Sequence, residues 1–186
     1  MLVNSNTRFE AAEGKLSGSG VSASLRVVGD LAGIFLDEEA RSRRDPREAV
    51  YEVVMHDACG AAEGGLFFGV SRVYPGKIGA EYFMTKGHFH SKRNRAEYYW
   101  GIAGEGLLLL MDESRQCRAE RVSPGSLHFI SGYTAHRLVN TGRSMLVVGA
   151  CWPSDAGHDY DSIQRDGFGL RVLDVDGQPQ LVPADG

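Results

Sequence analysis

The chain has 186 residues, 42% of them hydrophobic and 24% charged, with a net charge of -4 and a pI near 5.9. That length suits one domain with its own core, and the mild negative balance gives no reason to expect a nucleic-acid partner, although a local basic cluster can still bind a small anion. No apolar run reaches the roughly 20 residues that a membrane helix needs; the densest, Leu107 to Met111, is strand-sized.

The N-terminal stretch MLVNSNTRFE has no basic region followed by an apolar one, so no signal peptide is expected. Residues 1 to about 30 read as extended, with Gly and Ser punctuation. A short helix is predicted from Asp37, which can cap it. Glu38 and Glu39 suit its positive end, Arg41, Arg43 and Arg44 suit its negative end, and Pro46 stops it. From residue 50 the pattern changes to short β-rich runs: VYEVVM, LFFGVSRVY, EYFMTKGHFH, AEYYWGI, GLLLLM, SLHFI and SMLVVGACW. Gly, Pro, Asn or Asp separate most of them, and only a stretch near Ser162 to Asp166 reads as helical. The expectation is an all-β sandwich or barrel, a jelly roll among the options. It is a single domain over 1–186: N-terminal strands and helix at 1–49, a barrel at 50–177 and a tail at 178–186. Cys59, Cys117 and Cys151 are odd in number, widely spaced and without a CxxC pair. That speaks against a disulfide frame or a cysteine-based zinc site and for reduced thiols in the cytoplasm.

The chemistry-bearing segment is Gly87-His88-Phe89-His90, followed by Glu97 and later by His136. Alternate residues of a strand share a face, so His88 and His90 would point the same way, about 7 Å apart. Glu97 lies in the next β-like run, and a closed barrel can return His136 to the same interior. Three imidazoles and one carboxylate suit Fe, Mn, Zn, Ni or Co. Four such ligands on an octahedral ion leave two adjacent positions for substrate oxygens, the arrangement that polarises a carbonyl and holds its neighbouring hydroxyl. Thr85, Lys86 and Gly87 offer a hydroxyl, a cation and a backbone N–H that suit phosphate oxygens; Lys86 reads equally well as a solvated surface residue. Tyr99 shares the face of Glu97, whereas Tyr98 and Trp100 point away, towards another layer or a partner subunit. His56 and His128 read as structural or solvated, and Gly104 and Gly106 as turn residues.

The spacing His88-x-His90-x6-Glu97-x6-Gly104 resembles the first cupin motif, and His136-x3-Asn140 the end of the second, with Ser131 where a proline is usual. The segments YPGKIGAEYFMTKGHFH, RAEYYWGIAGEG, AHRLVN and DAGHDYDSI look like those of the cupin-type phosphoglucose isomerases of archaea and some bacteria, over about Val50 to Gly177. The resemblance implies a double-stranded β-helix (jelly-roll) barrel holding one divalent ion per subunit on His88, His90, Glu97 and His136. Fe2+ is the expected ion, with Mn2+, Ni2+, Zn2+ or Co2+ as alternatives. It further implies phosphate contacts from Ser71, Thr85, Gly87 and Tyr160, sugar contacts from Tyr51, Tyr99 and His158, and a homodimer with no nucleic-acid or membrane partner. Ser71 stands where the archaeal pattern has threonine, and Trp152 where it has tyrosine. The implied activity is interconversion of glucose 6-phosphate and fructose 6-phosphate, with Glu97 the candidate base and His136 a helper. A direct hydride shift is the alternative route. The rival readings are a cupin Fe(II) dioxygenase and a non-catalytic sugar-phosphate-binding cupin.

Overall fold

The computed structural model describes residues 1–184; residues 185 and 186 of the expected tail lie outside the described residues. Fifteen strands follow in order: β1 (Thr7–Glu10), β2 (Lys15–Gly18), β3 (Val21–Val27), β4 (Ala49–His56), β5 (Leu66–Val73), β6 (Lys77–Ile78), β7 (Glu81–Tyr82), β8 (Glu97–Ala103), β9 (Gly106–Asp112), β10 (Cys117–Val122), β11 (Leu127–Ile130), β12 (Thr134–Asn140), β13 (Leu146–Pro153), β14 (Leu170–Val175) and β15 (Gln178–Pro183). Two helices interrupt them, α1 (Glu38–Ser42) and α2 (Tyr160–Asp166), with a 3-10 turn at Val28–Leu31. The chain is therefore mostly β, with one short helix before the main run of strands.

The main sheet runs β11-β8-β13-β5-β4-β3, antiparallel throughout. Facing it are the β10-β9-β12 sheet and, beside that, β15-β14-β7-β6. Alternation explains the layering: Tyr51 and Ser71 turn inward, and β9 and β12 are buried almost end to end. The core between the sheets gathers Leu108, Leu110, Leu138, Val148 and Ile130 with Phe83 and Met84.

Three expectations change. The run EYFMTKGHFH is not one strand: β7 ends at Tyr82, and the rest is an extended segment joined to β12 by the single bridges Met84–Val139 and His88–His136. Gly87, at φ +74°, breaks its pleat. The expected tail at 178–186 contains β15, which pairs with β14 along its length. Helix α1 is capped as expected, Asp37 accepting from the Ala40 N–H at 2.7 Å, but it ends at Ser42, ahead of Pro46. Asp45, as the residue before a proline, is disfavoured in helix and turns instead, accepting from the Arg47 N–H at 2.9 Å.

Candidate metal centre and active site

His88, His90, Glu97 and His136 present one ligand atom each, all within 4.8 Å of one another. They come from two layers. Glu97 opens β8 on the main sheet, while His136 sits in β12 and is bridged to His88, with backbone bonds of 3.1 and 3.3 Å between them. The His88 and His90 rings are 5.6 Å apart, those of His88 and His136 4.3 Å.

The buried atoms of this cluster fit a cation. Glu97 Oε1 lies 2.6 Å from His136 Nε2 and 3.5 Å from His90 Nε2, yet none of the three atoms makes a well-directed hydrogen bond. Buried polar atoms left this way in a native fold call for a partner, and the mixed nitrogen–oxygen set suits a divalent transition metal. Burial and the neighbouring His136, His158 and His90 hold the His88 pKa well below the ordinary imidazole value, so that ring is neutral, the ligating form. Burial pushes Glu97 upward, but the close approach and charge of His136, and those of His90, outweigh it and bring the carboxyl to about 2. It is a carboxylate at any working pH.

The ring of His90 is aimed from behind. Its Nδ1 lies 2.9 Å from the Arg95 carbonyl, which can only accept, so Nδ1 carries the proton and Nε2 is left for an ion. Arg95 is in turn held by Asp155, with bonds of 2.9 and 2.7 Å, and Lys92 reaches the same carboxylate at 2.8 Å. The bonds from Arg95 and Lys92 hold Asp155 well below the usual carboxylate range. Because folding lowers this pKa, the clamp's contribution to stability is complete above the ordinary value of about 3.9 and is lost progressively as pH falls from there through the lowered value. Asp155→Asn keeps the shape and removes the charge. It should weaken metal affinity by about tenfold, the lower end for a residue behind a ligand, as measured by competition with a chelator; unchanged affinity would show that the clamp does not reach His90.

A cavity of about 200 Å³ opens onto this cluster. With about 30 Å³ per water molecule, it has room for a small molecule beside an ion. Its walls carry every expected site residue except His90: Tyr51, Ser71, Thr85, Gly87, His88, Glu97, Tyr99, His136, His158 and Tyr160. The Thr85 hydroxyl accepts from the Leu138 N–H at 3.0 Å, which leaves its own O–H to donate. Ser71 is buried on β5. Burial raises Tyr51 to about 12 and Tyr99 well above the ordinary phenol value, so both stay protonated donors. Tyr160, at the first turn of α2, stacks on His158 with centroids 5.5 Å apart, and Lys86 Nζ stands 5.7 Å from its ring. Asp159 caps α2, accepting from Ser162 N–H at 3.1 Å, and Arg93 pairs with the same carboxylate at 2.6 Å.

The cavity also has walls that sequence reasoning missed. Ser22, Ser24 and Arg26 line it from β3, and Val53, Met55 and Gly69 from β4 and β5, beside Trp152, the position the sequence already marks. Period-two alternation from Tyr51 points to Val53 and Met55. Nothing local marks Ser22, Ser24 and Arg26, because β3 is an exposed edge strand. Trp152 is buried, its ring against Phe67 and filling the space over Gly69. His128, as expected, is structural, bonded to Glu120 at 2.7 Å and Ser126 at 2.9 Å.

Comparison with known proteins agrees with this geometry. The family model for glucose-6-phosphate isomerase matches residues 25–182. The glucose-6-phosphate isomerase of Thermococcus kodakarensis is 43% identical over 166 residues, covering 88% of this chain and 86% of the relative. That of Pyrococcus horikoshii is 41% identical over 167 residues, covering 88% and 87%. With a matched span that includes both candidate ligand segments and every cavity strand except the start of β3, the chain belongs to the glucose-6-phosphate isomerase family, in its cupin form.

Proposed function

We propose that this chain is a metal-dependent aldose–ketose isomerase that interconverts glucose 6-phosphate and fructose 6-phosphate. One observation carries the reading: a single cavity joins a buried His3Glu cluster to the hydroxyls of Ser71 and Thr85 and the N–H of Gly87. A bound divalent ion, with Fe2+ the proposed occupant, supplies Lewis acidity to a carbonyl and its neighbouring hydroxyl. His88, His90, Glu97 and His136 hold that ion. Ser71, Thr85, Gly87 and Tyr160 bind the phosphate through neutral donors, which recognise anionic oxygens well. Tyr51, Tyr99 and His158 orient the carbon chain. Glu97 takes the proton from one of the two reacting carbons and returns it to the other, and His136 assists from beside it.

Two tests follow from the phosphate assignment. Fructose should be a very poor substrate beside fructose 6-phosphate, and equal turnover of the two would contradict the clamp. Thr85→Ala should raise KM for fructose 6-phosphate by about tenfold, the effect of losing a hydrogen bond to a charged group. Thr85→Ser keeps the hydroxyl and should restore most of it. An unchanged KM in Thr85→Ala would remove that residue from the phosphate site.

The chain is further proposed to act as a homodimer in the cytoplasm, in glycolysis or gluconeogenesis. Tyr98, Leu127 and Phe129 are 48%, 68% and 53% exposed on the outer face of adjacent strands β8 and β11, an aromatic patch suited to a second copy. Among the described residues no helix is long and apolar enough to cross a membrane.

A further inference from the structure

The side chain next to the metal ligand His136 is unexplained by the reaction. Along β12, His136 faces the cavity and Arg137 therefore faces away, behind the sheet. Arg137 is only 3% exposed, packed with its guanidinium carbon 4.9 Å from the Phe168 ring centroid. It forms no ion pair among the described residues, and its Nε has no hydrogen-bond partner. Glu81, whose charge reaches it, is engaged by Arg171 at 2.9 and 3.1 Å. A buried cation with no paired carboxylate is costly and needs a reason.

Its one hydrogen bond supplies it. Arg137 Nη2 donates to the Lys86 carbonyl at 2.7 Å. The Met84–Thr85 peptide before it and the Gly87–His88 peptide after it are held by β12 backbone: Thr85 N–H to Leu138 O at 2.9 Å, and His88 N–H to His136 O at 3.3 Å. The Lys86–Gly87 peptide between them is held by a side chain instead. There are no cis peptides, so the Gly87 N–H points opposite to the Lys86 carbonyl, away from Arg137 and towards the cavity that Gly87 lines. That N–H donates to no group among the described residues. Gly87 sits at φ +74°, where other side chains are strained, and a Cβ there would crowd Arg137 Nε at 3.0 Å, so glycine suits both the backbone and the close approach.

We propose that Arg137 is a positioning residue for anion recognition: from behind the sheet its guanidinium locks the Lys86–Gly87 peptide so that the Gly87 N–H donates to the substrate phosphate. The inference rests on the isomerase reading for the identity of the anion. It also gives the buried charge a role, since a positive group behind the amide strengthens the dipole that meets the phosphate.

The test uses the full chain loaded with Zn2+ and inorganic phosphate as the probe, so it does not depend on turnover. In isotopically labelled wild-type protein, phosphate should move the Gly87 amide proton downfield by NMR; a Gly87 amide that stays put at saturation overturns the proposal. Arg137→Met should weaken a phosphorylated sugar acid by about tenfold and leave the same acid without its phosphate unchanged. Equal weakening of both acids, or of neither, contradicts it. Phe168→Leu, which loosens the packing around the same guanidinium, should leave that ratio as in wild type. Should Arg137→Met fail to fold, Arg137→Lys retains the charge with a single, shorter donor and should shift the ratio in the same direction by less; a wild-type ratio there overturns the proposal. An active isomerase with an unmoved Gly87 amide sinks this inference alone, whereas a moved amide in a chain that never isomerises sinks the isomerase reading instead.

Discussion

Glu97→Gln should lower kcat for fructose 6-phosphate by about a hundredfold or more, the usual scale for a general base, while the protein keeps a large share of its metal. The substitution preserves shape and one oxygen donor and removes the charge. Glu97 is fully buried, and its neighbours keep it ionised, so it is always ready to accept a proton. With a carboxyl near 2 it is a weak base, and its contribution comes from position, held by His136 at 2.6 Å, more than from basicity. Metal content must be measured in the same sample, because a lost ion would imitate a lost base. Substrate deuterated at C2 supplies the independent arm: proton transfer through Glu97 should release some label to water, and a direct hydride shift keeps all of it. Near-native kcat in a metal-replete Glu97→Gln enzyme would falsify the base assignment and favour hydride transfer.

Stripping the protein with a chelator should abolish isomerisation, and one equivalent of divalent ion should restore it. The buried atoms of His90, Glu97 and His136 that lack hydrogen bonds are the reason. Without a cation they are left close together and unsatisfied, a costly arrangement inside a core. Metal binding can couple to folding, so circular dichroism should accompany the assay. Undiminished turnover by verified metal-free, folded protein would remove the ion from the reaction.

Much of the site was legible because its signals are local. His88 and His90 are two apart, Tyr99 follows Glu97 by two, and strand alternation carries each pair to one wall. The fold was legible where strands are half buried: β4, β5, β8 and β13 all read from their apolar residues. It failed at the edges. β10 (CRAERV), charged and only partly buried, and β15 (QPQLVP), proline-containing and largely exposed, are outer strands, and they carry no hydrophobic alternation to read. The segment carrying His88 and His90 was misread as a regular strand, because its β-like composition hides the break in the pleat at Gly87. Arg137 was passed over for another reason. A charge on the outer face of a strand reads as solvated, and the burial of this one comes from segments distant in sequence, Phe168 between α2 and β14 and the Lys86–Gly87 peptide, which pack against its guanidinium.

The most direct test of an isomerase built on this centre is incubation of the metal-loaded protein with fructose 6-phosphate under argon, with glucose 6-phosphate followed by a coupled assay. The isomerase reading predicts conversion to a mixture of the two sugar phosphates at a rate independent of oxygen. Absence of the aldose, or product formation that begins only when oxygen is admitted, would contradict it.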